Sequence, residues 1–189
     1  MTFQGDIGLL AGMIGFLGFV PYIIGTLNGS TRPDKATWII WAAMGFIIAA
    51  SYFSAGARES AWLPIAYAFG ILAVAALSLK YGKKGWTRLD LVCMVGAGIG
   101  LLAWWLTNEP LFALYLTILV DALGFIPTLE KAYHEPGSED RLAWTIFLIA
   151  DLLNIFAISE WTIPMISYPV YVFAFTLVLS IIIWLPRKR

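Results

Sequence analysis

The sequence predicts an all-α integral membrane protein of seven transmembrane helices, and three observations lead there. The 189 residues are 60% hydrophobic and 13% charged, with a mean hydropathy of +0.82, whereas a soluble domain is about half apolar and about a quarter charged. The apolar residues gather into seven runs of about twenty, the length that crosses a bilayer core. Lys and Arg alternate between the connecting segments, as they do when one side of a membrane retains them.

The runs are read as spans over 7–28, 37–55, 61–80, 90–107, 110–131, 141–159 and 162–185. The first is a retained span, because MTFQGD lacks a basic n-region and the run is long for a signal peptide. The fifth is the least regular, since it contains Asp121 and ends in Glu130-Lys131. Arg32 and Lys35 lie in the first loop, Lys80, Lys83, Lys84 and Arg88 in the third, and Lys131 and Arg141 in the fifth. Arg187, Lys188 and Arg189 end the tail, and only Arg58 falls on the other side. The N-terminus is therefore expected outside and the C-terminus inside, in a prokaryotic cytoplasmic membrane, with the lipid bilayer as partner. A net charge of +0 speaks against a nucleic-acid partner. One Cys (Cys93) and one His (His134) exclude a disulfide framework and a Cys/His zinc cluster and make Ser-His-Asp chemistry unsupported. No metal, cofactor or catalytic residue is expected.

The chain also repeats itself. GFVPYIIGTLNGSTRPDKATW at 18–38 and GFIPTLEKAYHEPGSEDRLAW at 124–144 share Gly18/Gly124, Phe19/Phe125, Pro21/Pro127 and Trp38/Trp144, all 106 positions apart. Two three-span copies separated by one extra span become parallel repeats about an axis along the membrane normal. Residues 1–83 form the first three-helix repeat, 84–108 the linker helix and 109–189 the second repeat. The third helices realign at an offset of 104, through Tyr67/Tyr171, Phe69/Phe173 and Val74/Val178. In the linker span, Gly96, Gly98 and Gly100 allow close helix packing.

This three-plus-one-plus-three plan, N-out and C-in, with a proline in the first helix of each unit, resembles the SWEET and PQ-loop superfamily of small-solute transporters. In sequence the resemblance is carried by GFVP at 18–21 and GFIP at 124–127. The Pro-Gln dipeptide of PQ-loop proteins is replaced here by Pro21-Tyr22 and Pro127-Thr128. The resemblance implies alternating access between two bundles, without naming a subfamily or a substrate.

A proline inside a helix removes a backbone hydrogen bond and kinks it, so Pro21 and Pro127, with Gly18 and Gly124 before them, read as paired hinges or gates. Asp34 or Thr37 caps the second helix. Trp38 and Trp144 start their helices and read as interfacial aromatics, as do Trp62, Trp104, Trp105, Trp161 and Trp184. Trp41, one turn deeper, is the better candidate to face a solute, with Tyr67 and Tyr171. The most informative residues break the repeat: Asp121 and Asp151 stand where the first copy has Gly15 and Gly45. Carboxylates at mid-membrane depth are costly and line cavities or relay protons. Asn154 shares a helical face with Asp151 and Phe147, while Thr117 and Thr128 flank Asp121 at helical spacing. Asp151 is expected at the centre of a cavity, facing Asp121; the alternative is a polar knot pinning the fifth and sixth helices together.

Transport of a small polar solute (a sugar, vitamin or amine) by alternating access, with coupling to protons, is the expected function. A non-transporting scaffold and a seven-helix receptor are the alternatives, the latter without a Lys in the last span for a retinal. An intramembrane aspartyl protease lacks its Gly-x-Gly-Asp signature. A second copy of the chain is admitted as a further partner.

Overall fold

A computed structural model describes residues 2–106 and 110–185. The tail charges Arg187, Lys188 and Arg189 and the side chains of Gly100 and Trp104 lie outside the described residues. Those residues form α1 (Phe3–Asn28), α2 (Lys35–Ser54), α3 (Trp62–Tyr81), α4 (Arg88–Trp105), α5 (Pro110–His134), α6 (Arg141–Phe156) and α7 (Ile163–Trp184), with a single 3₁₀ turn at Pro136–Ser138. Four of these, α1, α2, α3 and α7, are long and apolar enough to cross a membrane. Helix α6 stops short of the run read for it. Its 16 residues rise about 24 Å at ~1.5 Å each, and Ala157 closes it as a C-cap.

Local chemistry sets the helix ends. The Thr2 side chain accepts the N–H of Gly5 at the start of α1, and Gly29 ends the helix at φ 79°, a left-handed geometry that glycine adopts without steric cost. Asp34, rather than Thr37, caps α2: its Oδ1 accepts N–H bonds from Ala36 at 3.0 Å and Thr37 at 3.3 Å. Asp140, 106 positions later, does the same for α6 through the Ala143 N–H at 2.8 Å. The repeat thus includes its caps.

Six helices close a ring. Helix α1 packs on α3 and α6, α2 on α3 and α5, and α7 on α5 and α6, while α4 lies outside against α5 and α2. Contacts along the seams set the directions. Gly8, Gly15 and Gly18 meet Ala157, Ala150 and Phe147, so α1 and α6 run antiparallel. Trp41 and Thr37 meet Asp121 and Thr128, so α2 and α5 do too. Helices α5 and α6 are not neighbours in this ring, and among the described residues no hydrogen bond joins Asp121 to Asp151, so the two acids do not form a polar knot between them. Outward faces are apolar: Leu10, Met13, Leu17, Val20, Ile24 and Leu27 of α1 and Leu91, Val92, Val95, Ile99 and Leu102 of α4 are all exposed. A continuous apolar face of this kind marks a surface made for another apolar phase.

Two expectations about packing are corrected. Close approach by glycine in α4 is confined to Gly96, where a Cβ would lie 3.2 Å from the Leu123 side chain; one at Gly98 would meet nothing within 4 Å, whereas one at Gly8 of α1 would meet the Glu59 carbonyl. The burial of α3 and α7 repeats at 105 rather than 104. Leu63, Pro64, Val74, Ala75 and Ser78 are buried in α3, and Tyr168, Pro169, Leu179, Ser180 and Ile183 in α7. Val74 is fully buried and Val178 is 47% exposed; a one-residue error turns a helical position about 100° around the axis.

Asp34 allows a test of the cap. Burial, and next the Asp90 carboxylate, raise its pKa above the ordinary 3.8, against the Thr37 N–H, Lys83 and Lys131. A raised value means that the folded chain holds this proton more tightly than the unfolded one. The contribution to stability is then full below the ordinary value and declines as pH rises through the folded one. Asp34→Asn keeps the cap and removes the decline. Its unfolding temperature is expected to vary less than wild type between pH ~4 and ~7; equal slopes would show a carboxyl that folding does not perturb.

Candidate functional site

Where the six ring helices converge at mid-depth they enclose a cavity of about 50 Å³, room for a few waters. Ten of the fourteen residues on its wall are aromatic. Phe19 comes from α1, Trp38 and Trp41 from α2, Tyr67 and Ile71 from α3, and Asp121 and Phe125 from α5. Trp144 and Phe147 of α6 and Tyr168, Tyr171, Val172, Phe175 and Thr176 of α7 complete it.

The repeat supplies rings in matched pairs: Phe19 with Phe125, Trp38 with Trp144, and Trp41 with Phe147, each 106 apart. They pack directly on one another. Phe19 and Phe147 have centroids 4.8 Å apart, Trp38 and Trp41 5.3 Å, and Trp41 stacks on Phe125 at 5.4 Å and 23°. This cluster closes the cavity toward the 29–34 and 135–140 loops. Trp38 and Trp144 are therefore not interfacial. They are 1% and 3% exposed, because Tyr22 packs on both rings. Trp62, Trp105, Trp161 and Trp184 are exposed, as interfacial aromatics would be.

The two acids are placed differently from each other. Asp121 lines the cavity and is partly exposed. Its Oδ2 accepts the Tyr171 O–H at 2.6 Å, and its backbone carbonyl accepts the Trp41 indole N–H at 3.1 Å. Asp151 is fully buried behind the wall, where its Oδ1 accepts the Tyr67 O–H at 2.8 Å. Asp151 is therefore not on the cavity wall, where Asp121 is the carboxylate. Asn154 is fully buried as well, and its amide atoms and Asp151 Oδ2 have no hydrogen-bond partner among the described residues. Buried polar atoms of that kind are rare and call for a role. Neither threonine serves Asp121: Thr117 Oγ1 donates to the Leu114 carbonyl, and Thr128 Oγ1 to Thr37 Oγ1.

The four residues read as hinges sit where α1 and α5 cross the opposite half. Helices α1 and α5 run unbroken through Pro21 and Pro127, each without one backbone hydrogen bond. A Cβ on Gly18 would lie 2.6 Å from the Phe147 ring, and one on Gly124 2.8 Å from Ile40. At these two positions the bare backbone is what lets the helices meet.

One cluster escaped the sequence reading. Lys131 and Glu139 are 3% and 0% exposed and pair at 2.5 Å. Glu139 Oε2 also accepts the Tyr22 O–H at 3.1 Å and the Trp144 indole N–H at 2.8 Å, and Lys131 donates to the Arg32 carbonyl. This network ties α1, α5, α6 and both loops together just beyond the aromatic cluster. At the other end Tyr52 plays a similar part, donating to the Met165 carbonyl at 2.7 Å with Ser60 Oγ 2.9 Å away. Polar contacts thus tie the helices together on both sides of the cavity. No protein-family model matches this chain, and no curated protein or solved structure does.

Proposed function

We propose that the protein is a seven-span membrane transporter that moves a small polar solute by alternating access between two parallel three-helix units. Residues 1–83 and 109–189 make the units, and 84–108 the linker span. The observation that carries this reading is the central cavity, walled by helices of both halves and holding one carboxylate, with a separate set of contacts on each side of it. The symmetric order of helix packing supports it: α1 on α6 matches α5 on α2, and α3 lies between α1 and α2 as α7 lies between α5 and α6. Opening one end then means parting the Lys131–Glu139 network and the aromatic cluster, and opening the other means parting Tyr52 from Ser60 and Met165. The SWEET and PQ-loop resemblance of GFVP and GFIP points the same way.

The direct test is flux. Purified protein in proteoliposomes, screened with a panel of small polar solutes, is expected to give saturable counterflow for at least one class. A chain that binds solutes and moves none would be a receptor or scaffold instead.

Orientation has its own test. Thr2→Cys is expected to react with an impermeant thiol reagent in intact cells, and Gly137→Cys only after permeabilisation. Gly137 is exposed, whereas the neighbouring Ser138 is 2% exposed. The opposite labelling pattern would invert the topology.

A further inference from the structure

The wall of the central cavity also says what it suits. We propose that the solute is an organic cation carrying an alkylated ammonium head, held by aromatic faces and the Asp121 carboxylate. This rests on the transport reading above and deepens it: the cavity of about 50 Å³ holds only a few waters as it stands, so the head group enters as the aromatic walls part in alternating access.

The first ground is the supply of hydrogen bonds. A sugar needs many donors and acceptors, and this wall has spent most of its donors. Trp41 donates to the Asp121 carbonyl, Trp144 to Glu139, Tyr67 to Asp151 and Tyr171 to Asp121 itself. Of the seven donors on the wall that leaves three: the Trp38 indole N–H, without a hydrogen-bond partner among the described residues, and the Tyr168 and Thr176 hydroxyls. Most of the remaining lining is π face, and a ring face attracts a cation, most strongly when that cation is desolvated. An alkylated ammonium asks for few acceptors and offers charge spread over methyl groups. A primary ammonium would direct its charge to up to three acceptors and leave the ring faces unused.

The second ground is charge. Asp121 is the one ionisable acid on the wall, and no Lys, Arg or His among the described residues lines it. Lys131, the nearest buried cation described, is taken up by Glu139 and the Arg32 carbonyl. An ionised carboxylate at that depth needs a counter-charge, and an anionic solute would add to the deficit. A cationic solute supplies the missing charge. The aromatic wall and the unmatched acid are independent features, and both select the same head group.

The test compares choline with dimethylbutanol, its neutral carbon isostere, using the full-length protein in detergent and in proteoliposomes. Choline is expected to change tryptophan fluorescence saturably and to raise the unfolding temperature, with dimethylbutanol at least about tenfold weaker. Asp121→Asn should weaken choline tenfold or more and leave dimethylbutanol unchanged, while Trp41→Ala should weaken both and choline the more. Equal binding of the two probes, or no binding of choline, would overturn the proposal, and it does so on the wild-type protein even if a variant fails to fold. The transport reading fails separately: choline that binds and shows no counterflow leaves the cation site standing and removes transport. Glucose counterflow without choline binding does the reverse.

Discussion

Glu139→Ala is expected to lower the stability of the protein by about 3–5 kcal/mol, the cost of leaving one partner of a buried ion pair alone. Lys131 and Glu139 are almost fully enclosed, so the remaining ammonium has little water to turn to. The same substitution strips the acceptor from the Tyr22 hydroxyl and the Trp144 indole, each of which adds a desolvated donor. Unfolding in mixed micelles with a rising fraction of denaturing detergent measures it. A second variant separates charge from packing. Glu139→Ala combined with Lys131→Met removes the orphaned charge and should recover at least about half of the loss, because an apolar replacement of a whole pair is often close to neutral. A single variant as stable as wild type would mean that the pair is solvated in the protein.

Asp121→Asn is expected to cut solute uptake at least about a hundredfold while the protein still folds and inserts. The amide keeps an oxygen for the Tyr171 hydroxyl, so the local shape survives. What is lost is the cavity's charge, and removing one member of a desolvated charged pair costs a few kcal/mol of binding. Asp151→Asn is expected to do much less, within about threefold. Its oxygen still accepts from Tyr67, and the residue stands behind the wall rather than on it. Initial rates of counterflow under matched protein loading give both numbers. Should Asp151→Asn be the more damaging of the two, the acid that matters would be the enclosed one, and the cavity wall would be the wrong place to look.

Much of the helical layout is visible in one dimension because apolar run length and backbone hydrogen bonding impose it. A run of about twenty apolar residues must satisfy its own hydrogen bonds in hydrocarbon and so becomes a helix, which is why the runs and the helices coincide to within a few residues at most ends. Their limits shift where short-range chemistry intervenes. Thr2 starts α1 before its apolar run, and Ala157 stops α6 before the end of its own. The asymmetry of Asp121 and Asp151 against Gly15 and Gly45 is equally legible, since it needs only the register of the repeat.

Which of those acids meets the cavity is a different kind of fact. Helical spacing places Asp151, Asn154 and Phe147 on one face but does not say what lies opposite that face. The tertiary packing decides it: Tyr67 of α3 reaches past α1 to α6, where its hydroxyl donates to Asp151, and Asp151 is not on the cavity wall. Trp38 and Trp144 show the same limit. A tryptophan in the first turn of a membrane helix is interfacial unless something covers it, and the cover comes from Tyr22, more than a dozen residues away in sequence. Glu139 and Lys131 were invisible for a related reason, since two charges in a polar loop read as solvated until the fold encloses them.

The sequence by itself determined the apolar class of the chain, the positions of its helices, the 106-residue repeat with its prolines, glycines and tryptophans, and the two acids that depart from that repeat. These depend on composition, period and local hydrogen bonding, which neighbours along the chain settle. Only the tertiary structure decided that six helices share one aromatic cavity, that Asp121 lines it while Asp151 is sealed behind Tyr67, and that Lys131 and Glu139 are enclosed at one end. Those depend on which faces meet across 80 to 117 positions of chain, and helix periodicity gives each face without giving its partner.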